Sequence, residues 1–81
     1  MYRNKIEDHN QKRLEAIAMF LKEFRINSGL TQEEVSQSSL TSPHRNTIVR
    51  AENARNISLL KLFEILDALE LEPREVFMDI D

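Results

Sequence analysis

Residues 31–56, TQEEVSQSSLTSPHRNTIVRAENARN, constrain the fold more than any other stretch because they favour two short helices joined by a loop. Ser42 predicts a helix N-cap, since its hydroxyl can accept a hydrogen bond from a free backbone N–H. Pro43 suits the first helical position, where no N–H is needed. We therefore expect the second helix to run from residue 43 to about residue 53.

The second helix of this pair is predicted to have one buried face and one polar face, given about 100° per residue. Ile48 points inward, Ala51 and Glu52 flank it, and Arg45 lies near the boundary. The outward face carries Asn46, Val49, Arg50 and Asn53. Arginine can donate two hydrogen bonds to a guanine edge and asparagine can pair with adenine. This composition suits reading of the DNA major groove, although an ordinary solvated helix face could look the same.

Residues 2–27 predict one long amphipathic helix that Gly29 brings to an end. Its apolar residues recur mainly at steps of three and four: Ile6, Leu14, Ile17, Phe20, Leu21 and Phe24. Residues 1–12 are an N-terminal extension or the start of this helix, and residues 13–81 form the main domain. Basic residues in the extension could contact DNA phosphates or, because acidic residues are interleaved, belong to a solvated face.

The helix that follows begins at Thr31, which predicts a capping box with Glu34, and it turns Val35 inward. We expect it to end in the serine-rich residues 36–39, because serine side chains compete for backbone hydrogen bonds. Leu40 is predicted to enter the core between the two helices of the pair.

Two further helices are predicted in the C-terminal third. Ser58 caps the first, and its core-facing stripe consists of Leu59, Leu62, Phe63, Leu66 and Leu69. Glu72 and Pro73 start the second, which turns Val76 and Phe77 inward. The remaining apolar residues are Leu60, Met78 and Ile80. They favour a homodimer contact, although isolated exposed apolar residues are common.

A length of 81 residues, with one Gly and two Pro, favours a single small helical domain. The absence of Cys excludes disulfides and thiolate metal sites, and no apolar run approaches the roughly 18 residues of a membrane span. The polar N-terminus does not fit a secretory signal, so a cytoplasmic location is expected. His9 and His44 have no partners at metal-ligand spacing, and we predict no metal and no cofactor.

The net charge of −3 is unevenly distributed along the chain. Residues 1–56 contain nine Lys or Arg and seven Asp or Glu, which gives +2, whereas residues 57–81 contain two and seven, which gives −5. Affinity for DNA depends on the field at the phosphate-facing surface and not on the total charge. A DNA partner is therefore compatible with this sequence, with weak non-specific binding.

Three segments follow a known family pattern: LTQEEV at residues 30–35, TIVRAEN at residues 47–53 and SLLKL at residues 58–62, followed by Leu69, Val76 and Phe77. Together they resemble the helix-turn-helix domain of the phage lambda repressor and Cro type, the XRE family. The resemblance spans residues 21–77. It implies an all-α fold, a compact bundle of about five helices, here with an extended first helix. It also implies a sequence-specific transcriptional regulator, a repressor in our interpretation, that acts as a homodimer on double-stranded DNA with an inverted-repeat operator.

The resemblance also implies which residues contact DNA. The base-facing positions are Arg45, Asn46, Val49 and Arg50. The phosphate-contacting positions are Thr31, Gln32, Thr47, Asn53, Arg55 and Asn56. Two features depart from the family pattern: the stretch between Val35 and Ile48 is about two residues longer, and Ala54 replaces the common Gly. The second departure predicts a helix end that is capped differently or that continues slightly.

Two other functions stay open. The same fold could serve as an antitoxin or anti-regulator that binds a partner protein, such as a toxin, through its acidic C-terminal third. A controller protein of a restriction system is close to the main interpretation. An enzyme is disfavoured, because the serines near His44 lack an acidic orienting group and a Gly-rich turn, and the acidic clusters fit solvated helix faces.

Overall fold

The computed structural model describes residues 2–38, 41–78 and 80, with side chains from residue 6 onward. Within these ranges it contains five α-helices and no strand: α1 (Tyr2–Asn27), α2 (Gln32–Ser36), α3 (Arg45–Glu52), α4 (Leu59–Ala68) and α5 (Pro73–Phe77). The predicted all-α five-helix bundle with an extended first helix is confirmed. None of these five helices is both long and apolar enough to cross a membrane.

The core is built around α3, which packs against α1, α2 and α4. Each helix contributes at least one residue that is almost fully buried: Leu21, Val35, Ile48, Ile65, Leu66 and Val76. Burying such side chains stabilises the fold by about 1.5–3 kcal/mol each. Because α3 is enclosed on three sides, only one of its faces is left for other contacts.

The start of α2 is the predicted capping box. The Thr31 Oγ1 accepts a hydrogen bond from the Glu34 backbone N–H at 3.1 Å, and Glu34 Oε1 accepts one from the Thr31 N–H at 2.9 Å. Val35 is 2% exposed, and the helix ends at Ser36 within the serine-rich stretch, as predicted. The predicted core position of Leu40 lies outside the described residues.

The start of α3 differs from the prediction. Its N-cap is His44, whose Nδ1 accepts a hydrogen bond from the Asn46 N–H at 3.1 Å, so the helix begins at Arg45 and not at Pro43. Ser42 has a φ of +47°, outside the extended region that an N-cap residue occupies, and its hydroxyl donates to the Ser38 carbonyl. Ser42 and buried Pro43 therefore belong to the loop before α3.

Three helices end with a residue in the left-handed region: Gly29 after α1 (φ +75°), Ala54 after α3 (φ +57°) and Glu70 after α4 (φ +57°). After α3, the Arg55 N–H donates to the Arg50 carbonyl at 2.9 Å, and the Ala54 N–H donates to the Ala51 carbonyl at 3.3 Å. This pair of bonds defines the Schellman motif, which usually places Gly at the left-handed position. α3 therefore neither continues nor acquires another cap; it ends as it would with Gly, at the cost of a strained alanine.

The orientation of α4 differs in part from the prediction. Ser58 caps the helix as predicted, its Oγ accepting a hydrogen bond from the Lys61 N–H at 3.2 Å. The buried positions are Leu62, Ile65, Leu66 and Leu69. Leu59 is 66% exposed and Phe63 41% exposed, so their predicted core positions are wrong: Leu59 lies in the exposed first turn of α4, and Phe63 lies at the edge of the stripe, about 60° around the helix from Leu66.

In α5, Val76 is buried as predicted, but Phe77 is 41% exposed at the C-terminal end of the helix. At the end of this five-residue helix, the Val76 side chain therefore points into the core and the Phe77 side chain does not.

The N-terminal half of α1 projects from the body. A helix of 26 residues is about 39 Å long, and the whole molecule measures 45 × 22 × 18 Å. Leu21 is buried and Leu14 is half-buried, but every residue from 6 to 13 is exposed. Ile6, the first residue of the predicted apolar stripe, is 44% exposed, because the body ends near Leu14.

Candidate nucleic-acid interface

The outer face of α3 carries the four predicted base-contacting residues side by side. Arg45, Asn46 and Arg50 are exposed and Val49 is half-buried between them. This face has two guanidinium groups, one amide and one apolar surface within an eight-residue helix. Such a helix can enter a major groove about 12 Å wide and present donors to base edges.

Thr47 does not lie on this face. It is 8% exposed and sits on the buried side of α3 next to Ile48 and Ala51. Its side chain therefore packs within the bundle and not on the outward surface where its predicted phosphate contact would place it.

The buried side of α3 is fixed by an ion pair between its last residue and α1. Arg25 Nε donates to Glu52 Oε2 at 2.7 Å and Arg25 Nη2 donates to Glu52 Oε1 at 3.0 Å, with side chains only 11% and 6% exposed. Gln32 Nε2 also donates to Glu52 Oε1, at 3.1 Å, and Arg25 Nη1 donates to the Leu30 carbonyl at 2.8 Å. Glu52 thus joins α1, α2 and α3, and this Arg25–Glu52–Gln32 cluster sets the angle at which α3 faces outward.

The loop after α3 is linked to the outer face by Arg50. Its Nη2 donates to the Asn56 carbonyl at 3.0 Å, while Asn53 Nδ2 donates to the Val49 carbonyl at 2.8 Å. Asn53, Arg55 and Asn56 are all exposed, as a phosphate-contacting loop requires. The hydrogen bond from Arg50 to Asn56 therefore joins the predicted base-facing residues of α3 to the loop that carries three of the predicted phosphate-facing residues.

The start of α2 borders the same surface. Thr31 is exposed and Gln32 half-buried, the Gln32 amide being shared with Glu52. Arg45 Nη1 lies 4.0 Å from Glu33 Oε2, and both side chains are more than half exposed. An exposed pair of this kind contributes little to stability and is easily exchanged for a phosphate. Glu33 places a negative charge beside the interface.

Sequence reasoning missed the contacts that position this surface. It placed Glu52 on the buried side of α3 but assigned it no partner, and it did not identify His44 as the cap or the Arg50–Asn56 bond. One signal was available: a buried carboxylate needs a cation, and Arg25 in the last turn of the preceding long helix could have supplied it.

The helix-turn-helix family HTH_3 matches residues 21–76, which include α2, α3 and α4 and more than half of the chain. The chain belongs to this family. As a helix-turn-helix protein of the XRE type it is a DNA-binding transcriptional regulator, and its family is a non-enzymatic class. Its helices α2 and α3 are the two short helices joined by a loop that residues 31–56 predict.

Two solved structures are similar to this helix-turn-helix protein: the restriction-modification controller protein C.Esp1396I and a single tyrosine-to-phenylalanine variant of it. Each shares 26% sequence identity and superposes with a TM-score of 0.70. The similarity covers 84% of this chain and 87% of the wild-type controller chain, or 85% of the variant. No curated protein sequence matches the chain significantly.

Proposed function

We propose that this helix-turn-helix protein is a cytoplasmic, sequence-specific repressor that binds an inverted-repeat operator as a homodimer. The α3 helices of the two copies would enter successive major grooves about 34 Å apart. The observation that carries the proposal is the exposed face of α3, with Arg45, Asn46 and Arg50 outward, on a helix that the Arg25–Glu52–Gln32 cluster fixes from behind. The similarity to a controller protein supports a regulator of this type.

The contacts follow from side-chain chemistry. Arg45 and Arg50 donate paired hydrogen bonds to guanine, Asn46 pairs with adenine, and Val49 meets a thymine methyl group. A second group surrounds this face and holds the phosphate backbone: Thr31, Gln32, Asn53, Arg55 and Asn56. Phosphate contacts fix the register on the duplex, and base contacts determine which sequence is bound.

The dimer surface is proposed to lie on α4 and the chain after α5. Leu60 is 68% exposed and Met78 76% exposed, and Ile80 is partly exposed. Apolar side chains exposed to this extent favour a self-complementary contact about a twofold axis. Such a dimer would relate the two α3 helices by symmetry, as an inverted-repeat operator requires.

Selection from a random double-stranded DNA pool tests this proposal directly. We expect enrichment of an inverted repeat, and a loss of about 1–3 kcal/mol in binding with relaxed specificity at one position for Arg45→Ala or Arg50→Ala. Arg74→Ala, which removes an exposed arginine from α5, is the matched control and should bind as the wild type does. Failure to enrich any sequence at low salt would contradict the proposal.

An antitoxin or anti-regulator is the second candidate. The observation that favours it is the charge of residues 57–81, a net −5, which suits a basic protein partner better than DNA. In that case random DNA would yield no enriched site, while a basic partner would bind the wild type and release it at high salt.

A further inference from the structure

An apolar groove borders the loop that follows α3. It has a volume of about 150 Å³, and its lining comes from α1, the end of α3, that loop, α4 and α5. The lining includes Leu14, Ile17, Ala54, Leu59 and Phe77. Leu59 is 66% exposed and Phe77 41% exposed, although the sequence predicted both in the core. Two large apolar side chains thus border an open concave surface.

Arg55 is the one charged residue in the lining of this groove. Its backbone N–H closes the end of α3, but its guanidinium makes no hydrogen bond or ion pair with any residue that the structure describes. By contrast, Arg25 donates to Glu52 and Arg50 donates to the Asn56 carbonyl. An apolar pocket with a single polar group to orient its ligand is typical of a small-molecule site. A guanidinium in that place favours an anion, above all a carboxylate.

The size of the groove limits what it can hold. An engineered protein cavity of about 150 Å³, lined by Leu, Ile and Phe side chains, binds benzene. A helix of a partner protein, about 10–12 Å across with its side chains, needs a larger groove. The groove therefore suits one aromatic ring with a short acidic substituent, a molecule of about ten non-hydrogen atoms.

We propose that this groove binds a small aromatic carboxylic acid. Its ring packs against Leu59 and Phe77, and its carboxylate pairs with the Arg55 guanidinium. The same guanidinium is proposed to contact a DNA phosphate, so the carboxylate and the phosphate compete for it. The acid would then act as an effector that weakens DNA binding. This competition rests on the phosphate contact under Proposed function, whereas the binding of the acid does not.

A titration of the ¹⁵N-labelled full chain, followed by NMR chemical shifts, tests the groove with phenylacetate as the probe. 2-Phenylethanol keeps the ring without the charge, and acetate keeps the charge without the ring. The test variants are Leu59→Gln and Arg55→Gln. Their matched controls are Met19→Gln, 63% exposed on α1, and Arg74→Gln, exposed on α5, both outside the lining. All four positions are exposed, so the variants should fold as the wild type does.

We expect phenylacetate to shift the signals of groove residues with a dissociation constant of about 1 mM, and both partial probes to bind at least tenfold more weakly. Leu59→Gln and Arg55→Gln should each weaken binding about fivefold or more, and both controls should stay within about twofold of the wild type. Equal binding by all variants would overturn the proposal. Groove signals that respond to protein concentration but not to phenylacetate would identify a second copy as the occupant and also overturn it.

Fluorescence anisotropy with the selected operator tests the competition, with acetate at equal ionic strength as the control. At about ten times its dissociation constant, phenylacetate should weaken DNA binding by nearly the factor that Arg55→Ala loses, and Arg55→Ala itself should not respond. Unchanged DNA affinity of the wild type beside clear NMR binding would overturn the effector role. Normal DNA binding by Arg55→Ala would contradict the proposed phosphate contact, and with it the competition, but not the binding of the acid.

Discussion

Arg25 and Glu52, 27 positions apart in sequence, form a forked ion pair that joins the end of α1 to the end of α3. The pKa of Arg25 is raised, chiefly by its hydrogen bond to Glu52 and further by the carboxylate charge, while burial opposes the rise. Arg25 therefore stays charged throughout the ordinary pH range. The pair is largely buried, so salt should screen it less than it screens the exposed charges of the candidate DNA interface.

Breaking this pair should destabilise the fold strongly. Arg25→Ala removes the cation that pairs with the buried Glu52 carboxylate and leaves it the hydrogen bond from the Gln32 amide, so we expect the free energy of unfolding to fall by about 3 kcal/mol. Urea unfolding followed by circular dichroism measures the change. Lys22→Ala, an exposed substitution on the same helix, should stay within about 0.5 kcal/mol of the wild type. Similar losses of unfolding free energy for both variants would contradict the role of Arg25 as the stabilising partner of Glu52.

The strained end of α3 predicts a stabilising substitution. Ala54→Gly relieves a left-handed alanine at φ +57°, and we expect a gain of about 0.5–1 kcal/mol in the free energy of unfolding. Gly29→Ala is the converse control: a Cβ there meets no atom within 4 Å, so a loss of about 1 kcal/mol would report the backbone angle alone. The melting temperature should rise for Ala54→Gly and fall for Gly29→Ala. Shifts in the same direction would exclude backbone strain at Ala54 as the cause.

Arg55 is predicted to contact phosphate and not bases. Arg55→Ala should weaken binding to the selected operator and to unrelated DNA by the same factor, and it should reduce the slope of log K against log salt by about 1. Fluorescence anisotropy titrations between low and moderate salt measure both quantities. A change confined to the selected operator would instead make Arg55 a base-reading residue.

Glu33 is predicted to weaken DNA binding, because its carboxylate lies beside Arg45 at the edge of the interface. Glu33→Gln keeps the side-chain shape and removes the charge, so affinity for all DNA sequences should rise by about two- to fivefold at low salt. The gain should shrink as salt is added. Glu75→Gln is an exposed control on α5, and an equal gain there would indicate only an effect of net charge.

The sequence predicted helices and caps well because their causes are local. The capping box at Thr31, the cap at Ser58 and the end of α1 at Gly29 each depend on residues within one helical turn. The outward face of α3 also follows from the spacing of its residues. The family pattern then predicted base contacts for that face.

Features that depend on distant parts of the chain were not predicted. Leu59, Phe63 and Phe77 are apolar, but whether each is covered depends on neighbouring helices that periodicity does not describe. The start of α3 was misplaced because a Ser-Pro pair is a good helix start only if Ser42 is extended, and here it is left-handed. The pairing of Arg25 with Glu52 required knowing that α1 and α3 meet.

The shortness of α3 links DNA recognition to the temperature at which the bundle melts. Eight residues are too few for a helix that is stable alone in water, so the face proposed to contact DNA bases exists only while the surrounding helices hold it. In a domain of this size each kcal/mol lost lowers the melting temperature by about 4–8 °C. Variants of the Arg25–Glu52 pair should therefore be temperature-sensitive: they should bind operator DNA at low temperature and lose that binding on modest warming.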